Sequence, residues 1–115
     1  MKNTLEPAFQ EALDKYMALA QSKIDAEYNT GTLPPRTLEY NVVGRYVAVY
    51  NVDRGTRSSI HSFIDIKGGK FQNTTNKPGD VLKPASYKIP AKHARGNIFD
   101  LENLKLTGYG PAYLR

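Results

Sequence analysis

The sequence predicts an α+β fold, one long N-terminal helix packed on a small antiparallel β-sheet with a hairpin or meander core. Apolar residues recur at spacings of three and four from Phe9 to Ile24, and the repeat changes to two from Leu38 onward. Pro84, Pro90 and Gly96 then interrupt the later chain, so that stretch is neither a plain helix nor a plain strand. At 115 residues, a single domain spanning 1–115 with one modest core is expected.

The helix is predicted over about residues 5–28. Phe9, Leu13, Tyr16, Met17, Ala20 and Ile24 lie on one stripe of a 3.6-residue repeat. Asn3 or Thr4 is placed to cap it, and Glu6 sits in the favourable first turn. Pro7 is tolerated where its missing N–H has no intrahelical partner, and Gly31 with Pro34-Pro35 ends the element. Leu38–Val43 is a short strand candidate and Tyr46–Val52 a strong one, rich in β-branched and aromatic residues. Asp53–Arg57 supplies a turn. Ile60, Ser62, Ile64 and Ile66 then alternate on one face, with His61, Phe63 and Asp65 on an opposite face that is expected to be only partly covered.

Lys67–Pro78 reads as an exposed loop or an extended hairpin tip, and Val81-Leu82 as a strand beside Ile60–Ile66. Pro90–Ala94 suits one helical turn, ended by a left-handed Gly96. Ile98, Phe99, Leu101, Leu104 and Leu106, with Tyr109, Tyr113 and Leu114, are expected to cover one end of the sheet. The predicted core is Phe9, Leu13, Met17, Ile24, Val47, Val49, Ile60, Ile64, Val81, Leu82, Ile98 and Phe99.

Composition narrows the function classes. The chain has no cysteine, which removes disulfides, thiolate metal sites and cysteine nucleophiles. No apolar run reaches the roughly 20 residues needed to span a bilayer, so a cytoplasmic protein with no membrane partner is expected. The net charge of +5 is uneven: residues 1–28 hold three Lys against five acids, whereas Lys67–Arg95 holds seven cations and one acid, Asp80. Such a field draws in nucleic acid or an acidic protein, or it serves only to keep a surface solvated.

The densest part of that field is Asp80–Asp100, where Lys83, Lys88, Lys92 and Arg95 occur with no intervening acid. Gly79-Asp80-Val81-Leu82-Lys83-Pro84-Ala85-Ser86-Tyr87-Lys88 and Pro90-Ala91-Lys92-His93-Ala94-Arg95-Gly96-Asn97-Ile98-Phe99 resemble the signature of a family of small proteins encoded by tailed bacteriophages and marine viruses. The resemblance runs over roughly residues 45–115, with Tyr87 where a tryptophan is usual and a longer Asp65–Gly79 link than the family's short turn. It implies a phage-encoded accessory protein in the host-cell cytoplasm and brings no known activity.

Catalysis finds little support in the residues. His61 and His93 are 32 positions apart with no metal-binding spacing, and His93 sits among cations that oppose metal binding. A Ser86, His61 and Asp65 triad lacks a nucleophile elbow, and Gly68-Gly69-Lys70 lacks the phosphate-loop spacing. A non-enzyme without cofactor or metal is therefore expected. The candidate anion or nucleic-acid site is Lys83, Tyr87, Lys88, Lys92, His93 and Arg95, with the cations on phosphates and Tyr87 stacking on a base. Packing is the competing role for Tyr87, as for Tyr16, Tyr28, Tyr46 and Tyr50. The alternative function is a structural or protein–protein interaction module of a phage, in which self-association is open and the basic run is a rigid docking loop.

Overall fold

A computed structural model describes residues 5–31, 34–71, 74–84, 90–104, 106–107 and 110–111. Helix α1 spans Pro7–Glu27 and is followed by strands β1 (Arg36–Val43), β2 (Tyr46–Asp53) and β3 (Thr56–Asp65). A small hairpin, β4 (Gly69–Phe71) and β5 (Thr74–Asn76), precedes β6 (Asp80–Pro84) and β7 (Pro90–Asn97). A 3-10 turn at Leu101–Asn103 leads to the short pair β8 (Leu106–Thr107) and β9 (Gly110–Pro111). The main sheet is antiparallel in the order β1-β2-β3-β6-β7, an α+β arrangement. It is a meander into which β4–β5 is inserted. The Gly79 N–H donates to the Asp65 carbonyl at 2.7 Å and closes the base of that insertion.

Helix α1 packs its stripe on one face of the sheet. Phe9, Ala12, Leu13 and Tyr16 form a buried cluster with Val47, Val49, Ile64, Val81 and Ile98. Leu101, Leu104 and Leu106 pack against the same cluster, as expected for the end of the chain, while Tyr109, Tyr113 and Leu114 lie outside the described residues. The helix starts without a side-chain cap: Glu6 occupies the cap position and its carbonyl accepts from the Gln10 N–H at 2.8 Å. The proposed caps Asn3 and Thr4 lie outside the described residues.

Three expectations are corrected. The far face of the sheet is covered more fully than predicted, because Ala48, Phe63 and Leu82 form a second buried cluster with Tyr46, Tyr50, Ile60 and Ala94 around them. Phe63 alternates onto that face between Ala48 and Leu82, with which it pairs, and a bulge in β3 adds Ile60. Val49 pairs with Ser62 and Tyr50 with Ile60, which leaves His61 as the extra residue. The inserted residue reverses the facing of Ile60, which joins Phe63 rather than Ile64 and is only partly buried, and a second shift that leaves Ser58 extra restores the phase beyond it.

Phe99 is 55% exposed rather than a core residue, and Met17 is half-buried. The Phe99 N–H donates to Asn97 Oδ1, and the ring rests at the surface against Phe9, edge-on at 6.0 Å, and over Gly79. Finally, residues 90–97 form a strand, not a helical turn. The backbone of β6 is buried at Val81 and Leu82, and its outward N–H and C=O groups need partners that a helical turn would withhold. Gly96 does take a positive φ of 144°, but inside β7, where it makes room for Leu104.

Candidate functional site

The basic segment becomes the last two strands of the sheet. Lys83 lies on β6 and is half-buried, while Lys92, His93 and Arg95 lie along β7, the outermost strand of that side. The topology thus gathers four of the six candidate residues on one sheet edge. The side chains of Lys92, His93 and Arg95, and all of Tyr87 and Lys88, lie outside the described residues. Pro84 pairs with Pro90 where the two strands approach the 85–89 connection. Neither proline has an N–H to give, which suits the end of an edge ladder.

Two acids near the cations have other described partners. Asp80 Oδ2 accepts from the Lys77 N–H at 2.7 Å, and its Oδ1 accepts from Asn97 Nδ2 at 2.9 Å. The Asp100 carboxylate accepts from Asn103 Nδ2. Both carboxylates therefore serve the turns that flank the basic strands.

Behind this edge lies a polar network that sequence reasoning missed. The Tyr16 hydroxyl on α1 is 2.7 Å from Ser62 Oγ, which is 2.9 Å from His61 Nδ1. The Tyr16 and His61 rings also meet edge-on at 6.4 Å. All three residues are buried, and His61 Nε2 has no hydrogen-bond partner among the described residues. The bulge creates this arrangement, because it turns His61 and Ser62 together toward the helix.

Burial holds the His61 pKa down at about 4, helped by the positive charges of Lys83 and Arg36, so the ring is neutral at physiological pH. Burial also raises the Tyr16 pKa, against a smaller opposing effect of the Ser62 hydrogen bond. A serine beside a neutral imidazole has the makings of a nucleophile and base. Here, however, the hydroxyl is fully sealed, and its second partner is a phenol rather than a carboxylate. The only sequence trace of the network is a polar His-Ser pair set between Ile60 and Phe63-Ile64, the apolar residues of β3.

Asp65 is not the partner of His61 that a Ser86, His61 and Asp65 triad would need, and Ser86 lies outside the described residues. The Asp65 carboxylate, itself fully buried, accepts from Arg45 Nη2 and from the N–H groups of Lys67 and Gly68. That is the chemistry of a turn. Among the described residues no three of His, Asp and Glu converge as metal ligands, and no helix is long and apolar enough to cross a membrane.

On the helix side, Phe99 stands between two shallow clefts. One, of about 540 Å³, is bordered by Glu11, Lys15, Asp100 and Glu102, and the other by Glu6, Lys67 and Pro78. Among the described residues, neither is lined by β6 or β7. Residues 4–107 match the model of a Family of unknown function (DUF7717). No curated protein and no solved structure matches the chain.

Proposed function

This chain belongs to the DUF7717 family of unknown function, and from that premise we propose that it is a non-enzymatic accessory protein that binds nucleic acid through the β6–β7 edge. The observation that carries the reading is the placement of Lys83, Lys92, His93 and Arg95 on two paired strands at one side of the sheet, with no acid between Lys83 and Arg95 in the sequence. Lys88 and Tyr87 belong to the connection between those strands and complete the set of phosphate contacts and one stacking ring. The resemblance of residues 79–99 to phage-encoded proteins supports a viral setting. The sealed Ser62 hydroxyl and the turn-forming role of Asp65 favour binding over catalysis.

Contacts of this kind are largely independent of sequence, because strands bearing lysines offer phosphate binders rather than base-reading groups. Fluorescence anisotropy with labelled single-stranded DNA, duplex DNA and RNA tests the reading. Four phosphate contacts predict a loss of affinity of roughly 50- to 150-fold between about 50 and 200 mM salt. Replacing Lys88, Lys92 and Arg95 together by Ala is expected to abolish binding while leaving the melting temperature unchanged. Absence of binding to all three probes at low salt would overturn the proposal, and lost stability in the triple variant would give the cations a structural role.

A further inference from the structure

The opposite edge of the sheet, β1, carries a second and independent feature. The turn Gly44-Arg45 joins β1 to β2 in two residues, with Val43 paired to Tyr46 and Gly44 at a φ of 60°. In such a hairpin the closing pair exchanges both backbone hydrogen bonds, and bonded and non-bonded pairs then alternate. Val43, Asn41, Glu39 and Thr37 therefore bond to β2. Arg36, Leu38, Tyr40 and Val42 turn their N–H and C=O groups outward.

Asn29 confirms this phase. Its side-chain amide accepts from the Arg36 N–H at 2.7 Å and donates to the Arg36 carbonyl at 3.0 Å, as a neighbouring strand would. The cap ends there. Among the described residues no strand pairs with β1 beyond it, although the Asn41 amide, turned to donate, reaches the Tyr40 carbonyl at 3.1 Å. Exposed strand edges of this length are normally covered or paired.

We infer that the β1 edge pairs with β1 of a second copy, antiparallel about a two-fold axis at Tyr40, to make a continuous ten-stranded sheet. The uncapped stretch, residues 37–43, is centred on position 40. Placing Tyr40 opposite its own twin sets Leu38 opposite Val42 of the second copy, so every outward uncapped residue finds an outward partner. The side chains agree with this register. Glu39 falls opposite Asn41 rather than opposite the other Glu39, and each Glu39 keeps its own Arg57 at 3.0 Å. Val43, 53% exposed in one copy, falls opposite the methyl-bearing Thr37. Sliding by one repeat in one direction apposes the two Glu39 carboxylates and requires Arg36 to leave Asn29; sliding in the other direction runs the ladder into Gly44.

The chain contains no cysteine, so a single introduced thiol reports on this axis directly. Tyr40→Cys places two thiols on Cα positions about 5.5 Å apart, within disulfide reach, and is expected to give a covalent dimer under mild oxidation. Thr37→Cys, with its twin roughly 20 Å away along the strands, should stay monomeric on a non-reducing gel. Light scattering of the full chain should read a dimer. Asn41→Glu, which apposes two pairs of carboxylates, should weaken that dimer about tenfold. The double variant Glu39→Lys/Asn41→Glu should restore it, with thermal melts confirming that each variant folds. A monomer at high protein concentration, equal crosslinking of both cysteine variants, or an Asn41→Glu dimer as tight as the wild type would overturn the inference, leaving an extended segment of another protein as the occupant of the edge.

Discussion

His61 is the residue whose environment has the plainest consequence. The free imidazole takes a proton near pH 6.5, but the folded protein, by burying the ring, holds that event down to about pH 4. Above 6.5 neither state is protonated and the full stability is present. As pH falls below 6.5 the unfolded chain takes a proton that the folded one refuses, so stability declines until about pH 4 and then levels off. The gap corresponds to about 3 kcal/mol. Melting temperatures from pH 7.5 to 4 should therefore fall less steeply for His61→Gln than for the wild type. Parallel curves would remove His61 from the account. None of this was legible from position 61 alone, because the side chain's partner depends on Ser62 and on Tyr16, 46 residues away from Ser62.

At the scale of elements, the amphipathic helix and the β2–β3 hairpin were readable because each is fixed by a local repeat and a short turn. The bulge was not. Ile60, Ser62, Ile64 and Ile66 look like regular alternation, and only the pairing with Val49 and Tyr50 reveals that one residue is extra. Likewise, Pro90 and Gly96 carry the same local signals at the ends of a helical turn as in a bent edge strand, and the long-range need of β6 for a partner decides between them. Gly96 itself gives a sharp test. A Cβ there would lie 2.7 Å from the Leu104 Cα and 2.5 Å from its Cδ1, and the backbone φ is one that other residues rarely adopt. Gly96→Ala should cost about 2–3 kcal/mol in urea unfolding. A near-neutral result would mean that the β7–Leu104 packing is looser than described.

For the molecule as a whole, the cations of residues 83–95 were visible as composition, yet their gathering on one edge depends on β6–β7 pairing with irregular register, which no local pattern encodes. The β4–β5 insertion is joined to that framework at its base and lies against β7 through β5. Its ends meet at Asp65 and Gly79, and Ile64 pairs with Val81 just beyond. Deleting residues 69–76 while keeping Lys67, Gly68, Lys77 and Pro78 preserves the turn contacts of Asp65 and Asp80. The shortened chain is expected to keep its circular-dichroism spectrum and to lose less than about 2 kcal/mol, since the cost of loop closure changes slowly with length. Loss of cooperative unfolding would make the insertion part of the core.

The Tyr16–Ser62–His61 chain also bears on the structures this protein avoids. Apart from Tyr16, the buried stripe of the helix is Phe, Ala, Leu and Ile, and apolar burial by itself has no preferred direction. A helix docked one turn away, shifted by about 5.4 Å, would still bury most of its apolar area. It would also carry the Tyr16 hydroxyl away from Ser62 and leave that buried phenol without its partner, at about 1–3 kcal/mol, while Ser62 kept only His61. A single hydroxyl contact thus acts as a vernier, with apolar burial bringing the layers together and the hydrogen bond choosing the notch.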